Sequence, residues 1–336
     1  MLKGHFFCCR KFKSAALFNS YLYRNKPPGI LIVSKRTVFA VLVFICTISK
    51  VAATPVYDSL PADEATSTRQ QAIAFVDSIR HLDASPSWPN IKPALFLQNL
   101  KSTVYDPISI YPGNGTNFCG YGALTYLFLQ DDPLGYAKLI VQLYQQGNAT
   151  FGTTSFKPSA SIKKEAGLLR YKGVLDIHPA DQMWFLILAD HYKGYLNLFN
   201  RNYDPGDEDT FWASVNFAKF NRMVRNLLHY KVKAKGADLM RPHVGNLYQY
   251  ISKKLQTGRV ALFINNRIVH KKNHVSLKLR VPTHFIIAEK ISMADDVITL
   301  VYWDYGGKTL LQMSPTFFKR IIFGITYCTK KENNAR

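Results

Sequence analysis

The spacing of apolar residues along the chain changes from a helical to a strand period. Ala72, Phe75, Val76, Ile79 and Leu82 recur every three or four positions and predict a helix from about Asp63 to Leu82. Pro86, Pro89 and Pro93 punctuate the next stretch, and a shorter helix is expected around Ala94 to Leu100. Ala123, Leu124, Leu127 and Phe128 form a further stripe that Asp131-Asp132-Pro133 closes, which puts Cys119 in the first turn of a helix behind a glycine-bearing loop. Leu134 to Gln146, Ala180 to Asn200 and, beyond the turn Asp204-Pro-Gly-Asp207, Thr210 to Tyr230 read as helices as well. From Gly258 the period becomes two. Arg259 to Ile264, Val281 to Ile291 and Val297 to Gly307 are expected strands, with turns at Asn265-Asn266 and at Ser292 to Asp296. Thr309 to Met313 follows as a strand, Ser314 to Ile322 as a short helix with Pro315 in its first turn, and Phe323 to Cys328 as the last strand. A helical half followed by an antiparallel half is an α+β layout.

Two chemistries stand out against this pattern. Helix N-termini carry partial positive charge and unpaired N–H groups, which favour thiolate over thiol, so a cysteine at the start of a helix is a candidate nucleophile; a buried structural cysteine is the other reading of Cys119. In a regular hairpin centred on Ala294, positions whose numbers sum to 588 face each other, and His284 and Asp304 do so. Opposed residues hold their Cβ atoms about 4.5–5.5 Å apart, close enough for a carboxylate to orient an imidazole. That register requires a regular turn, because one extra residue would shift every pairing. His178, His191 and Asp181 lack the paired spacing of a zinc motif, and the glycines near Cys119 are not followed by Lys-Ser/Thr, so no metal or cofactor is implied.

At 336 residues with 47% hydrophobic and 19% charged side chains, the composition is that of a folded protein, and disorder is not expected. The formal charge of +21 is unevenly placed: residues 1–53 hold nine Lys or Arg and no acid. That basic lead precedes the apolar run Val38 to Ile48 and then Val51-Ala-Ala53, the order of an export signal cleaved near Ala53, with secretion or a periplasmic location as the consequence. The run is shorter than the roughly 20 residues of a spanning helix; an uncleaved N-terminal membrane anchor is the alternative. Cys8, Cys9 and Cys46 would leave with the signal. Cys119 and Cys328 remain, either bridged or, as expected for a domain that is no disulfide scaffold, as two free thiols with Cys328 buried in the last strand. Residues 231–280 hold twelve Lys or Arg against the single acid Asp238. Such a run is a solvated face or a surface for anionic material; no nucleic-acid motif sharpens it.

The segments Asn-Phe-Cys119-Gly-Tyr-Gly-Ala-Leu, Thr-His284-Phe-Ile-Ile-Ala and Tyr-Trp-Asp304-Tyr-Gly, in that order, resemble the motifs of papain-like cysteine peptidases. They are most similar to those of the bacteriocin-processing, double-glycine-leader branch, and Ser314-Pro-Thr-Phe-Phe-Lys is similar to the short helix those domains place after the aspartate strand. The resemblance implies a papain-like domain over residues 105–330 with an enlarged helical insertion, preceded by a helical preface at 54–104. It implies Cys119 as nucleophile, His284 as general base and acid, and Asp304 as the group orienting the imidazole. Acyl transfer would run through a thioester, with a peptide or protein as substrate and no cofactor. The family's usual oxyanion glutamine falls at Gly113 here; the nearest amides are Asn114 and Asn117, and the Cys119 N–H is a further donor. An amidase or acyltransferase would use the same three groups. A non-catalytic protein on a decayed peptidase fold, binding anionic polymer through 231–280, is the reading from a different class.

Overall fold

The structure, a computed structural model, describes residues 65–113, 115–168, 177–192, 205–206, 208–209, 213–266 and 282–330. The proposed signal, Asn114, residues 193–200 of the expected helix and the basic residues between 267 and 280 lie outside them.

Thr68 decides where the first helix starts: its hydroxyl accepts from the Gln71 N–H while the Gln71 side chain accepts from the Thr68 N–H, a reciprocal cap that opens α1 (Arg69–Ser78). The helix is therefore shorter than its apolar stripe. Pro93 at the first position begins α2 (Pro93–Tyr105), and a 3₁₀ turn at Pro107–Ser109 follows. Helix α3 (Cys119–Asp131) is buried on nearly every side, which is why its apolar residues are not confined to one stripe. Asp132 caps α4 (Pro133–Gln146) through the Gly135 N–H. A small hairpin, β1 (Ala149–Phe151) and β2 (Thr154–Phe156), leads to α5 (Ala160–Glu165), then α6 (Pro179–Tyr192) and α7 (Phe217–Leu227). Asn216 caps α7 through the Lys219 N–H, so that helix starts later than the expected Thr210.

The second half begins with an element that periodicity missed, β3 (Lys231–Gly236), and α8 (Leu247–Leu255) was missed likewise. Then come β4 (Arg259–Ile264), β5 (His284–Ala294), β6 (Val297–Asp304), β7 (Gly307–Met313), α9 (Pro315–Ile321) and β8 (Ile322–Thr329). They form a six-stranded antiparallel sheet in the order β3-β8-β4-β5-β6-β7. The fold is α+β. The helices of the first half cover one sheet face, where Phe263, Phe285 and Trp303 join the main core with residues of α1 to α7; α8 and α9 cover the other face through Ile251, Leu262, Ile286 and Phe318. No described helix is long and apolar enough to cross a membrane.

The β5–β6 hairpin departs from the regular arrangement centred on Ala294. Its turn is the two-residue Asp295-Asp296, both with positive φ (47° and 59°), so Ala294 pairs with Val297 and the strand pairs sum to 591. Two-residue turns of this kind match the right-handed twist of the strands they join, and aspartate tolerates the left-handed backbone. The pairing then shifts between Ala288 and Lys290, so that Ile287 faces Trp303. One extra residue, Glu289, is a bulge.

Candidate active site

The bulge controls which side chains share a face with His284. Side chains alternate faces along a strand, so with the sum of 591 His284 would lie on the face of Trp303 and Tyr305; after the shift it lies on that of Tyr302 and Asp304. At the shifted register Gly306, not Asp304, would stand opposite His284, and Asp304 is its diagonal neighbour. Diagonal partners are roughly 7–8 Å apart at the backbone, within reach of long side chains. His284 Nε2 and Asp304 Oδ1 are 2.5 Å apart, and both side chains are nearly fully buried.

The bulged residue also joins the sheet to the helix that carries Cys119. The Tyr126 hydroxyl donates to Glu289 Oε1, while Lys308 Nζ on β7 is 2.6 Å from Glu289 Oε2. Tyr126 stacks on Trp303 with ring centroids 4.8 Å apart, and the Trp303 indole donates to the Ile108 carbonyl at 2.9 Å. Asp304 therefore follows a residue fixed to α3 and to the segment before it. Two glycines of the cysteine motif let the helix approach. A Cβ on Gly120 would come within 2.8 Å of Val215, and one on Gly122 within 2.8 Å of Pro112.

Cys119 is the first residue of α3, half-buried and unbridged; Cys328 is likewise free, and burial pushes its thiol up to about 12. The turn before α3 is pinned by Thr116, whose hydroxyl donates to the Pro112 carbonyl at 2.6 Å and accepts from the Phe118 N–H at 3.2 Å. The Cys119 sulfur lies 3.9 Å from the Thr283 carbonyl oxygen, one residue from the histidine. Burial lowers the tendency of His284 to hold a proton, but the Asp304 carboxylate and the adjacent Cys119 sulfur outweigh it and raise the imidazole from 6.5 to about 9. With Nε2 taken by Asp304, Nδ1 is the nitrogen left for the sulfur. Nδ1 is buried with no partner in full hydrogen-bond geometry among the described residues, so sulfur and ring are neighbours with no completed hydrogen bond. Contacts of this type often tighten only once substrate is bound.

The structure thus brings together Cys119, His284 and Asp304. Asn117 lies in the turn just before Cys119, its backbone N–H donating to the Glu208 carbonyl at 2.6 Å, and Asn114 is outside the described residues. Phe118 supplies no side-chain cap, and the first N–H groups of a helix have no acceptor within it, so the Cys119 N–H is available to an incoming oxyanion. Gly113 has φ 87°, and a Cβ there would sit 3.0 Å from Ile177 Cδ1, so the position usual for a glutamine has little room for one. Sequence reasoning missed Tyr305, whose ring stacks on the His284 ring at 4.4 Å with 18° between planes and whose backbone is left-handed (φ 41°). The aromatic residues flanking the acid, Tyr302-Trp-Asp-Tyr305, were the available signal.

Away from this cluster, His178 Nδ1 is 3.7 Å from Asp181, whose carboxyl burial pushes up to about 7, while the His191 ring lies tilted against Phe156. No group of three His, Cys, Asp or Glu side chains among the described residues is arranged to hold a metal ion. A cavity of about 240 Å³ lined by Ser155, Lys157, Asp190 and His191 lies outside the Cys119 cluster, so chemistry rather than cavity size marks the candidate site. Compared with known proteins, the chain matches no protein-family model and no curated sequence.

Proposed function

We propose that this chain is an exported papain-like cysteine hydrolase that cleaves amide bonds in peptide or protein substrates. The observation that carries the reading is the buried His284 ring, held by Asp304 through one nitrogen, with the Cys119 sulfur at the start of α3 beside the ring. With the thiol's proton already held on His284, the Cys119 sulfur forms a bond to the substrate carbonyl carbon. The carbonyl electron pair moves to oxygen, beside the Cys119 N–H. Collapse of that intermediate breaks the C–N bond, and the imidazolium gives its proton to the departing amine. Water, deprotonated by the same ring, then attacks the thioester, releases the acid and returns the thiol. Asp304 keeps the ring oriented and compensates its charge throughout.

Iodoacetamide labelling tests this directly. Cys119 should alkylate in the folded protein and Cys328 only after unfolding, with peptide hydrolysis abolished by Cys119→Ala. Equal labelling of the two thiols at neutral pH would sink the proposal. Product analysis with an added amine separates hydrolysis from acyl transfer.

The crowded, left-handed Gly113 favours a second reading, a non-catalytic binding protein on the same fold, since losing one oxyanion donor can cost roughly 10²–10³ in rate. That reading expects binding of an anionic polymer that survives Cys119→Ala together with no hydrolysis of any peptide pool.

A further inference from the structure

The basic stretch that periodicity could not interpret is in part a strand edge, and the loop beyond it is unusual. Among the described residues strand β3 pairs only with β8, and its other edge has no strand partner. Lys233 faces Tyr327 and Lys235 faces Ile325 across the ladder, which places alternate lysines, Lys231 included, on the sheet face that α8 covers farther in. Lys254, from α8, lies over the Tyr327 ring at 4.4 Å on that same face. None of these lysines forms an ion pair among the described residues. Lysines along an open edge have an ordinary explanation, since they discourage edge-to-edge pairing.

The loop after β3 is not explained in that way. Leu239 and Met240 are 78% and 70% exposed, the two most exposed large apolar side chains among the described residues. The loop is held in shape: the Ala237 N–H donates to the Met240 carbonyl at 2.9 Å, and the Asp238 carboxylate turns inward to accept from the Phe217 N–H at 2.9 Å, at the start of α7. The one acid of the stretch is thus spent against a helix N-terminus, and the two apolar side chains project. Arg241 follows directly, stacked over Phe323 and donating through Nε to the Arg320 carbonyl at 3.2 Å. The result is a fixed apolar tip in a cationic surround.

We propose that this loop and the β3 lysines form a docking surface for an anionic lipid bilayer, with Leu239 and Met240 entering the acyl boundary and Lys231, Lys233, Lys235 and Arg241 lying at the headgroups. Amphipathic surfaces bind bilayers by this pairing of buried apolar area with attraction to anionic lipid. A soluble polyanion would use the charges but gain nothing from the projecting leucine and methionine, so the tip selects the bilayer.

The test is sedimentation of the full chain with vesicles of phosphatidylcholine, with and without phosphatidylglycerol, in parallel with Leu239→Ser/Met240→Ser and Lys233→Ala/Lys235→Ala variants. The apolar run at Val38–Ile48 is common to all of them, so differences between variants isolate the loop. Expected is a preference for phosphatidylglycerol vesicles that weakens by roughly fivefold per lysine removed. The apolar pair should cost on the order of a hundredfold. Fluorescence of Leu239→Trp should shift to the blue on those vesicles and not on neutral ones. No preference for the anionic lipid, or a preference that the serine pair leaves unchanged, overturns the proposal; the latter would assign the face to a soluble polyanion. Cys119→Ala should dock like the parent, so failure here and failure of the hydrolase reading are separately visible.

Discussion

Replacing Asp304 by asparagine should weaken the fall of stability with rising pH. In the native protein His284 binds its proton up to about pH 9, whereas an unfolded chain releases it near 6.5. A group whose folded pKa is raised contributes stability that is fully present below the unfolded value and is lost as pH rises through the folded one. Across the interval from 6.5 to about 9, His284 therefore forfeits about 3 kcal/mol at 1.36 kcal/mol per pH unit. Asparagine keeps the shape of the side chain but removes the charge. Burial, which acts against the imidazolium, is then opposed only by the Cys119 sulfur, and the histidine should release its proton at a lower pH than in the parent. The check is urea unfolding of both proteins between pH 6 and 10, read as the difference between the two curves. Lys219, which burial lowers to about 8, and Asp181, raised to about 7, also titrate near this range but are common to both proteins and cancel. The parent's advantage should shrink by up to about 3 kcal/mol as pH rises through the window. Parallel curves would refute the assignment of Asp304 as the charge that holds the ring protonated.

Other perturbations separate scaffold from chemistry. Tyr305→Gly should leave stability within about 1 kcal/mol, because glycine relieves a left-handed backbone while losing the stack, yet hydrolysis should fall with a changed pH profile; Tyr305→Phe should keep both. An unchanged profile for the glycine variant would show that the ring does not position His284. Gly120→Ala should destabilise by about 1–3 kcal/mol in thermal unfolding despite alanine's helix preference, since its Cβ would meet Val215 at 2.8 Å. Gly113→Gln, which installs the amide usual for papain-like sites, should lower stability and not raise turnover, because the backbone there has φ 87° and Ile177 fills the space. Faster turnover in that variant would mean the loop can rebuild.

How much was legible in the sequence differs by element. The end of α3 and the start of α4 follow from local chemistry, since aspartate and proline at 131–133 end one helix and cap the next, and the apolar spacing before them puts Cys119 in the first turn. Strands β4, β5, β6 and β8 announce themselves by β-branched and aromatic runs. Strand β3 did not, because an edge strand with one protected residue, Val232, among exposed lysines has no apolar alternation to detect. Helix α8 was hidden for a related reason, contributing little more than Leu247 and Ile251 to the interior.

By itself the sequence determined that a thiol would open a helix in the first half of an α+β chain, and that a histidine and an aspartate would lie on successive strands of the second. Only the tertiary structure decided that imidazole and carboxylate meet. Whether two positions on paired strands share a face depends on the parity of the register, and parity was set by a two-residue turn and one bulged residue. Glu289 is drawn out of the ladder where it meets Tyr126 and Lys308, partners 163 and 19 positions away along the chain. A shift of a single residue leaves local periodicity unchanged while turning every following side chain to the opposite face, so no reading of the strands one at a time could have fixed it.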